Sequence, residues 1–148
     1  MLVTTHAITG AAISSIVPNP IMSVPIAFGS HFVLDAIPHY DPDLKKATKD
    51  KLLAGFLVAD IIIAAAVSMT LIIATNNPTI IYGVIAATIM DIDVIFYLKK
   101  SFPKPLPKSL SRFHYKVQNE TKNKYLGFIT QALVIIGGVV VICVLSAN

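Results

Sequence analysis

The run His31-Phe32-Val33-Leu34-Asp35-Ala36-Ile37-Pro38-His39-Tyr40-Asp41 closes a stretch that otherwise reads as apolar, membrane-buried helix. His31 and Asp35 stand one helical turn apart, so their side chains leave from one face. An ionisable pair is costly in hydrocarbon, and inside a membrane helix it marks function by default, with a partner to be found. His6, Asp60 and Asp91 interrupt other apolar runs. Whether these positions meet decides how the chain is read.

Of the 148 residues, 55% are hydrophobic and only 14% are charged. A soluble domain carries about 25% charged residues, so the shortfall points to the membrane class. No long polar linker divides the chain, which reads as one integral membrane domain over 1–148. Five apolar segments emerge: about 2–17, 20–37, 52–75, 79–98 and 125–145. Their length favours helices over strands. Asn19-Pro20 is a cap followed by a proline at the first helical position, Pro25 predicts a kink, and Pro38 is a stop. Asp43 is placed to cap a short surface helix, and Asn76-Asn77-Pro78 to make a tight turn. The expected fold is therefore an all-α, polytopic bundle of about five hydrophobic helices. The first two are short against the roughly 20 residues of a span, and a re-entrant hairpin suits them equally.

Charge sets the expected orientation. All 12 Lys and Arg residues fall between Lys45 and Lys51 or within the basic, proline-containing loop 99–124. The connections at Pro18–Pro20 and Asn76–Pro78 carry none. The positive-inside rule makes the basic side cytoplasmic, with the N-terminus inside and the C-terminus outside, in a multi-pass protein of the inner (cytoplasmic) cell membrane. The opening residues lack the positive region of a signal peptide, so the first segment is expected to remain in the mature protein. Nucleic acid is not an expected partner, because no groove-reading or stacking element accompanies the charge. Membrane lipids are, with anionic headgroups gathered at the basic loop. Cys143 is the only cysteine, so no internal disulfide can form.

Counting at 1.5 Å per residue from the basic side puts His6 and Asp35 about 8–9 Å deep, and His31, Asp60 and Asp91 about 12–15 Å. Gln131 falls in the same layer, more as helix-packing glue than as a chemical group. The other half of the bundle has no acid or histidine. Imidazole with carboxylate suits zinc, and also manganese or iron. The candidate ligands are His6, His31, Asp35, His39, Asp91 and Asp93, with Asp91 favoured over Asp93 because it lies deeper. So many donors exceed one tetrahedral ion and suggest one or two ions, which would activate water toward a phosphorus or carbonyl centre.

Three motifs carry a resemblance. Thr5-His6-x3-Gly10, His31-x3-Asp35-x-x-Pro38-His39-x-Asp41 and Met90-Asp91-Ile92-Asp93 resemble small membrane proteins described as membrane-bound metal-dependent hydrolases. That family is remotely similar to zinc-dependent phospholipase C. Phe113-His114-x3-Gln118, followed by Gly127 and Gln131, is similar to the family's late histidine motif. The resemblance covers most of the chain and implies an all-helical fold with a His/Asp metal cluster. It makes phospholipase- or phosphatase-like hydrolysis the leading expectation, with Asp60 and His114 as the candidate catalytic groups. The chain departs from the family at Met90, where a proline is usual, and at Gln118, where many relatives place a second histidine. The competing expectations are a non-catalytic protein whose cluster binds metal or forms a structural polar network, and a proton relay, which the apolar outer half disfavours. No serine sits on a glycine-flanked elbow, and no phosphate-cradling glycine loop is present.

Overall fold

The computed structural model describes residues 1–92 and 106–147. Asp93, Lys99, Lys100 and Lys104 lie outside them. The described chain is all-helical: α1 (Val3–Ile16), α2 (Pro20–Asp35), α3 (Leu44–Ala47), α4 (Lys51–Thr75), α5 (Ile80–Thr88), a 3-10 turn (Ile89–Asp91), α6 (Lys108–Val117) and α7 (Lys124–Ser146). Local chemistry starts most of these helices. Asn19, Asp43, Asp50 and Asn123 each accept a backbone N–H of the first turn that follows, the arrangement that satisfies amides a helix leaves orphaned. α4 stops where Asn76 adopts a left-handed φ of 48°, a conformation asparagine tolerates better than most residues.

α1 is the hub. It packs against α2, α4, α5 and α7, and small residues let it do so. Gly10 of α1 and Gly83 of α5 face each other so closely that a Cβ on either would overlap the other's backbone oxygen. Ala11 and Ala12 meet Ile80 and Ile142 beside this crossing, and Ala27 meets Ala86 and Ala87 across α2 and α5. Shortness thus reflects a helix enclosed by its neighbours.

α4 and α7 differ. With 25 and 23 residues, they are long and apolar enough to cross a membrane. Only 22% and 11% of their most apolar windows are buried, so they are not the enclosed core helices of a globule. Ile62, Ile73, Leu133 and Ile136 all point outward. At 1.5 Å per residue α4 is about 37 Å long and α1 about 21 Å. Asp60, the tenth residue of α4, contacts the first turn of α1, so α1 begins about two and a half turns inside α4. The recess is roofed by α6 and two extended segments. His39 N donates to Asn119 O (3.2 Å), and Thr121 N to His39 O (2.8 Å). Gly127 lets Tyr40 lie against α7, where Thr130 Oγ1 donates to Pro38 O (2.7 Å).

The stretch expected as a basic loop holds α6, and this helix buries His114. Proline and lysine density suggested solvated chain. The inward positions Ser111 and His114 instead follow helical spacing.

Candidate metal centre

Asp35 ends α2, fully buried, and is the centre on which the other groups converge. Its Oδ2 lies 2.9 Å from His114 Nε2 and 3.2 Å from His31 Nε2, and the two nitrogens are 3.0 Å apart. α2 supplies two of these residues at i and i+4; α6 supplies the third. His31 is oriented from α5: its Nδ1 sits 2.7 Å from the Ala87 carbonyl oxygen. That oxygen can only accept, so Nδ1 carries a hydrogen, and in the neutral ring Nε2 turns a lone pair toward Asp35. Two lone pairs facing each other at 3.2 Å call for a cation or proton between them. Bonds of 2.0–2.1 Å to a tetrahedral zinc place its ligands about 3.3 Å apart, so the three atoms fit a divalent ion.

The other oxygen of Asp35 has its own neighbours. His6 Nε2 lies 3.2 Å from Oδ1, the Met1 nitrogen 2.7 Å, and His39 Nε2 4.0 Å. His39 is fixed as His31 is, with Nδ1 donating to Ile37 O at 2.8 Å. Its Nε2 is buried without a hydrogen-bond partner among the described residues. Burial pushes His39 below the usual imidazole range, favouring the neutral form that ligates metal. Burial pushes Asp41, beyond the end of α2, up to about 6.

His6, His31 and Asp91 form a second group with ligand atoms within 4.8 Å of one another. The His6 and His31 rings stack at 4.0 Å, and Asp91 Oδ2 is 4.0 Å from His31 Nδ1 and has no hydrogen-bond partner among the described residues. Because that nitrogen is committed to Ala87, His31 presents a single lone pair. It serves the group with Asp35 and His114.

The remaining polar residues of the layer do other work. Asp60 accepts from Val3 N (2.7 Å), Thr4 N (3.3 Å) and Thr4 Oγ1 (2.6 Å). Gln131 accepts from Leu2 N (2.8 Å) and donates to Tyr40 O (2.9 Å). α1 has no side-chain cap of its own; α4 and α7 provide it. Helix amides left without acceptors are destabilising, so these contacts hold the first turn of α1, and with it His6, at this depth. Asp93 lies outside the described residues. Ala87 O and Ile37 O, which fix the imidazole tautomers, are backbone atoms and leave no mark in a motif.

A cavity of about 250 Å³ adjoins the cluster, with Asp41, Asp60, Asp91, His114, Gln118 and Glu120 in its wall. Gln118 Nε2 approaches His114 Nε2 at 3.4 Å. No family model, curated protein or solved structure matches this chain.

Proposed function

We propose that this chain is an integral membrane protein with a divalent-metal centre at His31, Asp35 and His114, and that it hydrolyses a phosphate ester or lipid headgroup at the inner leaflet. The observation that carries the reading is the triangle of two Nε2 atoms and one carboxylate oxygen, with the tautomer of His31 set by Ala87 O. His6 and His39 flank the far oxygen of Asp35, which also meets the Met1 nitrogen, and are the candidate donors should a second ion bind there. Zinc suits this set best, with manganese or iron as alternatives. The outward apolar faces of α4 and α7 support membrane embedding, and the basic residues at one end support a cytoplasmic site. In this reading α4 and α7 are the full-length spans, and the shorter α1, α2 and α5 pack among them within the membrane.

A divalent ion supplies Lewis acidity toward a phosphoryl oxygen and lowers the pKa of bound water. This chain's own residues do the rest. Ala87 O and Ile37 O hold two imidazoles in the ligating tautomer. His114 serves as a ligand rather than as a separate acid. Asp60 is occupied by α1; of the other carboxylates in the cavity wall (Asp41, Asp91 and Glu120), Asp91 carries a buried Oδ2 with no hydrogen-bond partner among the described residues and is the candidate proton acceptor.

Elemental analysis of detergent-purified protein is expected to find about one or two divalent ions per chain, as this donor set can hold. Chelation should abolish turnover of a phosphodiester or phospholipid panel, and zinc should restore it. Metal-free wild type that stays folded would end this reading. The caps made by Asp60 and Gln131 favour a second reading for part of the layer, a structural polar network. It is distinguished by bound metal, or none, with no turnover of any substrate tried.

A further inference from the structure

α6 presents two unlike faces. Lys108, Arg112 and Lys116 recur every fourth residue, which lines them up along one side, and all three are exposed. Ser111 and His114 point the other way and are buried. Phe113 packs edge-on against Phe32 of α2 with ring centroids 5.1 Å apart, yet it remains 51% exposed, and Tyr115 45%. Aromatic side chains beside a row of cations are what a helix lying in a headgroup layer carries. Lys51 opens α4 and Lys124 opens α7, so the described cations lie at the end that α6 roofs. The turns at the opposite end hold no charge.

We propose that α6 is an interface helix seated on anionic lipid headgroups, and that this seating holds His114 against Asp35. The proposal rests on the membrane-embedded reading above and adds its regulation. His114 is the one member of the metal triangle that does not come from α2. Its helix meets the bundle chiefly through α2. Among the described residues no acidic side chain pairs with Lys108, Arg112 or Lys116, so the row is free to meet an anionic surface. Each such cation near an anionic leaflet strengthens attachment about fivefold. Linkage then requires that lipid charge raise metal affinity and that metal strengthen the seating of α6 by the same factor.

The chain has no tryptophan, so Tyr115→Trp gives a single emitter on α6. The full chain is reconstituted in nanodiscs of phosphatidylcholine alone or mixed with phosphatidylglycerol. In the anionic discs, emission should shift to the blue and become less open to a water-soluble quencher. Zinc should be held about five- to tenfold more tightly against a competing chelator. Both differences should vanish in the triple variant Lys108→Gln/Arg112→Gln/Lys116→Gln, and for the unmutated row at high salt, which tests the charge without touching the fold. Identical emission and quenching in the two lipids would overturn the proposal, as would zinc binding indifferent to lipid charge. If no zinc binds in either disc, the metal reading falls while emission still decides whether α6 is seated.

Discussion

Where Gly10 crosses Gly83, the helices of this bundle touch backbone to backbone; where Asp35 gathers its imidazoles, they meet largely through polar side chains. The first region is made of glycine and alanine and leaves no room for adjustment. The second leaves ionisable groups buried without hydrogen-bond partners among the described residues: His6 Nδ1, His39 Nε2, His114 Nδ1 and Asp91 Oδ2, where the first leaves only the Ser14 hydroxyl. Unsatisfied buried polar atoms are costly and rare in native proteins. Rigid contact in one place is what allows tension in the other. The short helices α1, α2 and α5 are locked to one another, so their polar ends cannot drift apart to find separate partners.

The comparison is most sharply broken at Asp35. Replacing it with alanine removes the oxygen shared by His31 and His114, together with the one facing His6 and His39. Metal affinity should fall by well over a hundredfold, beyond the loss expected for an outer-shell partner. Elemental analysis after gel filtration checks it, and undiminished metal would place the ion elsewhere. In the rigid region, Gly83→Ala puts a Cβ onto the Gly10 backbone oxygen and against Ser14 Oγ. Backbone cannot swing aside as a flexible side chain can, so about 3 kcal/mol of stability should be lost, read as a lower unfolding midpoint in detergent. Asp60→Ala tests the link between the regions. It leaves Val3 N, Thr4 N and Thr4 Oγ1 without an acceptor, and should cost about 2 kcal/mol, the upper range for losing a helix cap. Metal should stay bound in the fraction that remains folded; its complete loss would make Asp60 a ligand.

What could be read from residues alone follows the same division. Asn19-Pro20 and Asp43 announce helix starts through local chemistry, and the structure has both. His6, His31, Asp35 and Asp91 could be expected to approach one another because isolated ionisable groups in apolar helices are costly. The packing role expected of Gln131 is the one the structure has; the role of Asp60 could not be read so. Counting depth from each helix end assumes that all helices begin in one plane, and α1 begins inside α4. His114 looked like a loop residue because lysines and prolines crowd its neighbourhood. The inward spacing of Ser111 and His114 was legible only as part of a helix whose partner face was unknown. Gln118 stands where the resemblance expected a histidine, and its amide approaches His114.

The smallest effect lies between two adjacent glycines of α7. A Cβ on Gly138 would sit 2.7 Å from Ile8 Cγ2, whereas one on Gly137 would meet nothing within 4 Å. Both positions are helical, and alanine is favoured over glycine there by about 1 kcal/mol through the backbone freedom it removes. At Gly137 nothing opposes that gain, so Gly137→Ala should raise the unfolding midpoint slightly. At Gly138 the same gain meets a β-branched side chain that is stiff at χ1 and cannot turn away cheaply. Overpacking of this kind costs about 1–3 kcal/mol, so Gly138→Ala should lower the midpoint. The two substitutions have the same chemistry, neighbour in sequence and depth in the bundle, and differ only in the face they occupy. Opposite signs would fix which side of α7 meets α1. Equal shifts would mean that the α1–α7 contact yields, and that the rigidity assigned to the glycine-lined half is confined to α1 and α5.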